Sequence, residues 1–565
     1  MVKPHLYPAG MKTFTGLFII LTTAFLLILY SCATTVPPTG GPKDTIPPIL
    51  IRSNPANNQT NVSGNEIVLE FSETVILKEP KEEIIIIPTP GKDVNYLFRR
   101  NIITVQTKKP FEKDVTYSVA FRQAVRDITE GNPAEDLRLA FSTGPHIDSL
   151  QLFGSVEILP DATPGAKYTV ALFQQDTFNL FKHSPTYFTR ADKNGRFTIP
   201  NLKPGKYRIY TFEDKNKNLK CDSQSERFGL YPDTVYLPQQ KDSLRLSAVK
   251  VDCRPLKLNN YRNISDYGLI RLNKNILRYT LTEVDRKVAV PTIASATKAE
   301  ITYYPRGTSD DSTKVRLTAM DSVGQKLDST FYIKKTKSKP IKETFKVVLD
   351  KVTYTHPTQE WLLTGEYSHP LISLPPDSMD LYLDTVFYAR AAVNRIDYDS
   401  LLPRISIYAK YPIKDSLISK PWIAGFTKGT FISLRQDTAK AISKKAIIRT
   451  RENLARLIVQ NTATEKSLIE LVADGSLPIE TQKTKTANTF INLDPAKMFL
   501  RRITDNNGNS KWDYGNPLYN IPPEPIKYYI NTEGKKDIPL RANWEVEIDW
   551  TKDPIVDKRP KKNKP

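Results

Sequence analysis

The 565-residue sequence predicts an all-β protein, a string of β-sandwich domains behind an N-terminal export segment. Three observations carry this. Short runs rich in β-branched and aromatic residues, such as Glu66–Phe71 and residues 101–105 and 116–121, recur at close spacing between turn residues, the pattern of sandwich strands. At about 150 residues per domain, the length allows three to five domains, each able to bury its own core. One block of turn and strand residues occurs twice in the same register, which marks a duplicated domain.

The export segment comes first. Lys12 supplies a short positive start, residues 14–30 are almost wholly apolar, and the run ends at Leu29-Tyr30-Ser31-Cys32. This is the composition of a secretory signal. It resembles the signal of a bacterial lipoprotein precursor: Ser31 fits the last position removed, and Cys32 presents the thiol that takes the diacylglyceryl group. The resemblance implies a signal peptide over 1–31, a palmitate-bearing mature chain from Cys32 and an outer-membrane lipid anchor. A spanning helix is the competing reading, since the run is near the roughly 20 residues needed to cross a bilayer; Cys32 at the cleavage point decides against it. Residues 32–48, rich in Thr, Pro and Gly, read as a tether. Ala33-Thr34-Thr35 lacks the acidic run of surface-exported Bacteroidota lipoproteins, which favours the periplasmic face.

Residues 49–146 form the first domain. Asn54-Pro55 with Val62, Phe71-Ser72-Glu73 with Val75, Tyr117, Asp127 before Gly131-Asn132, and the closing Phe141-Ser142-Thr143-Gly144 resemble the SbsA-type bacterial Ig-like domain, a spacer or binding module. Residues 147–253 carry Asp192-Lys193-Asn194-Gly195 and Pro204-Gly205 turns between strands and resemble the transthyretin-like, regulatory domain of carboxypeptidases, which has no active site of its own. Asn201-Leu202, Pro204, Lys206 and the loop from Asp214 return as Asn492-Leu493, Pro495, Lys497 and the loop from Asp505. A second such domain is therefore expected over 421–520. Residues 268–276 echo the first domain, giving a second Ig-like domain over 254–340, and Glu366-Tyr367-Ser368 suggests a fainter third copy over 341–420. The Ala, Lys and Arg content of residues 440–459 fits a short helix, and 521–565 holds a terminal strand and a basic tail. Taken whole, the chain resembles multi-domain Bacteroidota lipoproteins.

The duplicated loops carry the most chemistry. Asp214, Asn216, Asn218, Lys220 and Asp222 match Asp505, Asn507, Asn509, Lys511 and Asp513 in spacing. Alternate oxygens of this kind begin a calcium loop, where Lys220 and Lys511 would offer a backbone carbonyl. The sixth position, which wants Gly, holds Leu219 and Ser510, and the twelfth, which wants Glu, holds Ser225 and Asn516, with Glu226 one residue late. Asx turns, in which the same side chains bond local amides, are the competing reading.

Asp followed by Ser or Thr and a small or aliphatic residue occurs at Thr45, Ser149, Thr234, Ser243, Ser312, Ser322, Ser329, Ser378, Thr385, Ser400, Ser416 and Thr438. Composition predicts about two such triplets. The excess resembles the O-glycosylation sequon of exported Bacteroidota proteins, which implies glycans on these hydroxyls; turn exits into strands are the alternative. Cys221 and Cys253 either pair in an oxidising compartment or stay as buried thiols.

The formal charge of +20 includes Lys3 and Lys12 of the signal, leaving +18 spread along the mature chain. Without a basic stripe interleaved with aromatics, nucleic acid is not expected as a partner, and anionic envelope glycans or headgroups are. His146, His183, His356 and His369 have no metal-ligand spacing. Glu70 and Glu73 form a carboxylate pair, but on a short sandwich strand they read as edge residues. The expectation is a non-enzymatic outer-membrane module that binds an envelope glycan or protein. The competing one is a hydrolase of envelope polysaccharide or peptidoglycan with its site in the central region.

Overall fold

The computed structural model describes residues 44–552 except 92, 175–177, 241, 265–266, 296, 305–311, 335–343, 373–376, 400, 463–465 and 474–476. The expected signal segment, Cys32, most of the expected tether, Ser400 and the basic tail lie outside the described residues. Within them the chain is built from strands, as the turn-punctuated pattern predicts, and they group into five units.

In the first unit Leu50–Asn54, Glu66–Phe71, Ile102–Thr107 and Val94–Arg99 form one sheet in that order, and Ile85–Ile87, Thr116–Ala120 and Arg138–Ser142 form the facing one. Alternation along Glu66–Phe71 points Ile67, Leu69 and Phe71 into the core. Tyr117 lies against Phe111 and Phe141, with ring centroids 4.9 and 5.5 Å away. The third unit repeats this topology strand for strand. Leu258–Ile264, Tyr267–Leu272, Glu300–Tyr303 and Thr292–Ala294 form one sheet, and Arg278–Glu283, Ser312–Met320 and Lys326–Lys334 the other. Even the bulge in the first strand recurs, between Leu50 and Arg52 and between Leu258 and Asn260.

The second and fifth units are a second duplicated pair. Leu150–Ile158 lies between antiparallel Arg196–Leu202 and parallel Leu244–Ala248, just as Ala455–Asn461 lies between Ala487–Leu493 and Glu545–Trp550. The facing sheets correspond too: Tyr187–Arg190, Thr169–Phe173, Gly205–Phe212 and Phe228–Leu230 match Pro478–Lys483, Ser467–Ala473, Lys497–Thr504 and Ile526–Tyr528. Residues 521–550 thus complete the sandwich of the fifth unit, and Glu545–Trp550 is the expected terminal strand.

The fourth unit is a single eight-stranded sheet and not a third Ig-like copy. Ile442–Lys445 pairs at one edge and Ile447–Arg449 at the other, so this short run curls the sheet onto itself around Trp361, Trp422 and Tyr354. Trp422–Phe426 and Ile442–Arg449, placed in the fifth domain by the sequence reading, belong here. The expected helix over 440–459 is instead strand, interrupted by one 3-10 turn at Arg451–Asn453. The β-branched isoleucines at 442, 447, 448 and 458 outweigh the Ala and Lys content around them.

The string folds back on itself. The outer sheet faces of the second and fifth units meet in one apolar cluster that holds Ala171, Tyr210 and Phe212 from one, Leu468, Ile503 and Ile526 from the other, and Val323 of the third unit. Polar contacts frame it. Tyr210 Oη donates to Asn520 Oδ1 (3.2 Å), Lys536 Nζ to the carbonyls of Asp161 and Ala162 (2.9 and 3.0 Å), and Asn516 Nδ2 to the Val323 carbonyl (2.7 Å). The first unit packs on the second in the same manner, with Ile85 and Ile87 entering the second unit's core.

Candidate functional site

The Asp-rich loops follow corresponding strands of the duplicated units, Gly205–Phe212 and Lys497–Thr504. Each loop turns back at once because its side chains take the amides a strand would have used. Asp214 Oδ1 accepts from the Asn218 and Leu219 amides (3.0 and 3.3 Å), Asn216 Oδ1 from Asn218 (3.2 Å) and Asn218 Oδ1 from Lys220 (2.7 Å). The second loop does the same. Asp505 Oδ1 accepts from Gly508 and Asn509 (2.8 and 3.1 Å), its Oδ2 from Ser510 (3.0 Å), Asn507 Oδ1 from Asn509 (3.0 Å) and Asn509 Oδ1 from Lys511 (2.8 Å). The sixth positions are left-handed despite their side chains, with φ of 59° at Leu219 and 60° at Ser510.

The other end of each loop is held by a residue outside the Asp-x-Asn pattern. Glu226 is fully buried; its Oε1 accepts from the Lys215 amide and its Oε2 from the Asp222 amide (2.9 and 2.7 Å). Glu524 repeats this on Asn506 and Asp513 (2.7 and 3.1 Å). One carboxylate thus clamps the second and ninth positions of its loop. Burial pushes both carboxyls above the ordinary range, with the amides offsetting only part of the shift. The sequence reading noted Glu226 as a substitute ligand and missed Glu524, seven residues farther along by loop numbering. Its one signal is an acid among the prolines at 522, 523 and 525.

As calcium ligands, these groups are already engaged. Asp222 accepts from the Gln224 amide and Ser225 Oγ (2.9 and 2.8 Å), and Asp513 Oδ2 receives the Asn507 and Asn509 side-chain amides (2.5 and 2.8 Å). The remaining Asp214 oxygen faces the Arg190 guanidinium at 3.9 Å. Among the described residues, no group of three or more His, Cys, Asp or Glu side chains is placed to hold a metal. These contacts are the hydrogen bonds of Asx turns, the alternative that the spacing allows.

The other candidates sit apart. Thr45, Ser149, Ser243, Ser312, Ser322, Thr385, Ser416 and Thr438 are exposed, and Thr234, Ser329 and Ser378 half-buried, so each of these eight exposed hydroxyls is open to modification. Several of the preceding aspartates have structural work. Asp321 pairs with buried Lys274 and caps Val323 and Gln325, and Asp399 caps Leu401 and Leu402. Cys221 and Cys253 are unpaired and buried in the cluster between units. Burial raises both thiols, Cys253 to about 12. Glu70 is spent on Arg52, 2.5 Å away. Among the described residues no helix is long and apolar enough to cross a membrane.

Comparisons agree with this picture at the level of domains. Residues 44–143 match the family described as bacterial Ig-like domain, and residues 161–220 match polysaccharide lyase family 4, domain II. No curated protein matches the chain. Among solved structures, domains 1–6 of the surface layer protein SbsC align at 12% identity over 82% of this chain and 66% of that one, with a TM-score of 0.15. The Bacteroides ovatus protein SGBP-B, solved in complex with a mixed-linkage heptasaccharide, aligns at 9% identity over 62% of this chain and 89% of its own, TM-score 0.15. The Bacillus cereus major pilin subunit BcpA aligns at 7% identity over 71% and 97%, TM-score 0.12. At such TM-scores these likenesses carry no functional argument.

Proposed function

We propose that this chain is a non-enzymatic module of the bacterial outer membrane, held by lipid on Cys32 with the periplasmic face favoured, that binds an envelope glycan or another envelope protein. The observation that carries the reading is how the polar residues of the duplicated units are used. Their carboxylates and amides are committed to holding loops and docking units, which suits a rigid scaffold presenting surfaces. The Ig-like match over 44–143 supports it, and so does the match over 161–220 to a domain of a polysaccharide-acting family. Affinity capture from native envelope with the full chain in detergent tests the proposal, alongside turnover assays on peptidoglycan and polysaccharides. Specific capture without turnover is expected. Reproducible cleavage, abolished by changing one carboxylate, would replace this reading with the hydrolase.

A further inference from the structure

The junction of the first and second units holds a cleft of about 250 Å³ whose rim is dominated by arginine. Arg122 and Arg138 come from the first unit, Arg190 and Arg196 from the second, and the only carboxylate among the lining residues is Asp192. That carboxylate is already engaged, since Asp192 Oδ1 accepts the Asn194 and Arg196 amides at 2.8 Å each. Two of the guanidiniums are also committed. Arg190 Nη1 donates to the Glu82 carbonyl (2.9 Å), and Arg122 lies 3.6 Å from Glu83. The guanidiniums of Arg138 and Arg196, both exposed, make no hydrogen bond or ion pair with the described residues.

Four like charges around one small space repel one another, and nothing in the fold requires the last two. Arg138 alternates with core residues on the strand Arg138–Ser142, and Arg196 opens Arg196–Leu202, so both could be any polar residue. What a pair of free guanidinium forks matches is a planar or tetrahedral oxyanion. The remaining walls narrow the choice. Ile87 and Phe197, each about 5% exposed, close the floor, half-buried Pro200 supplies apolar surface, and Ser118, Thr189 and Thr198 supply hydroxyls. The volume lies just under the range of roughly 300–1,000 Å³ typical of small-molecule pockets, which suits one ring-sized residue and not an extended ligand.

We propose that this cleft binds an acidic saccharide residue, its oxyanion held by Arg138 and Arg196, its ring against Pro200 and its hydroxyls facing Thr189 and Thr198. The inference rests on the binding-module reading and gives it a site and a ligand class. Because the two units form the cleft together, a bound residue also ties them, so ligand raises the stability of the junction.

Glucuronic acid, glucose and inorganic phosphate, titrated calorimetrically into the full chain in detergent at low salt, test it. Glucuronic acid should bind, glucose should not, and phosphate should bind at least tenfold more weakly than glucuronic acid. Arg138→Ala with Arg196→Ala should weaken glucuronic acid at least tenfold while leaving the melting temperature of the free protein within about 2 °C, since neither side chain has a partner to lose. Wild-type protein that ignores glucuronic acid, or a double variant that binds it equally well, would overturn the proposal; phosphate binding as tightly as glucuronic acid would overturn its saccharide part. Envelope capture by the same variant separates this failure from the broader one: if capture persists while glucuronic acid is ignored, the module binds elsewhere, and if wild type captures nothing, the binding reading itself falls.

Discussion

Glu524 shows how a residue outside any recognisable motif sets the geometry of one inside it. Its two oxygens accept one amide from each end of the second loop. Glutamine keeps one acceptor and turns an NH2 toward the other amide, which leaves a buried donor unpaired at a cost of about 1–3 kcal/mol. Glu524→Gln should therefore lower stability by that amount at neutral pH, measured by urea unfolding. The pH dependence has a sign of its own. Burial raises the folded-state pKa of Glu524 above its ordinary 4.5, so between 4.5 and the raised value the native state holds more protons than the unfolded one. Glu524 thus contributes a stability term that is fully present below 4.5 and is lost as pH rises through the folded value; the glutamine variant lacks this slope. A variant whose stability follows pH as steeply as wild type through that window would remove Glu524 from the account. Glu226, with the same contacts, should behave alike in the first loop.

At the scale of elements, the two loops can be set against calcium directly. If they are hydrogen-bonded turns, the melting temperature should be the same in millimolar calcium and in chelator, and Asp214→Ala and Asp505→Ala should destabilise equally in both. A site of even millimolar Kd would instead contribute on the order of 1–2 kcal/mol at tenfold excess ion, confined to the calcium arm. These elements were legible because turns are written in residue chemistry: Asp and Asn at fixed offsets give the same hairpin twice, and Asp127 before Gly131-Asn132 forms the turn its pattern implies, taking three amides at 2.7–3.1 Å. Less legible was which sheet a strand joins. Trp422–Phe426 pairs with Ser378–Leu383, some forty residues back, and no local residue records that choice. The docking of the two duplicated units did leave a trace. Thr169–Phe173 is buried along its whole length and Ser467–Ala473 along nearly all of it, and apart from Glu470 both runs are mostly apolar without alternation, the mark of a strand covered on both faces. The arginine cleft had no sequence signature, because its four guanidiniums converge from separate strands and turns of two units.

At the scale of the whole molecule, the proposed anchor and the docking of the units can each be tested. On the proposed lipid anchor, Cys32 is the one cysteine of residues 1–32 that could take the lipid, so Cys32→Ala should leave the protein unprocessed or soluble, read by fractionation and by labelled palmitate; equal labelling of the variant would refute the anchor. Docking has a sharper test in the buried ion pair Glu470–Arg501. Both side chains are about 4% exposed, and they are direct cross-strand partners on the face that meets the second unit. At the matching positions of the second unit the partners are Ala171 and Tyr210, which are uncharged and belong to the apolar cluster between the units. Removing one charge strands the other away from water, so Glu470→Ala should cost about 3–5 kcal/mol. Replacing both in the pattern of the duplicate, Glu470→Ala with Arg501→Tyr, removes the pair together with its desolvation penalty, and buried pairs replaced by well-packed neutral residues are often neutral or stabilising. The double variant should therefore recover most of the loss, measured by denaturant unfolding, while X-ray scattering shows the folded-back shape kept. A double variant no more stable than Glu470→Ala, or one that scatters as an extended string, would mean that this pair and not the apolar cluster holds the duplicated units together.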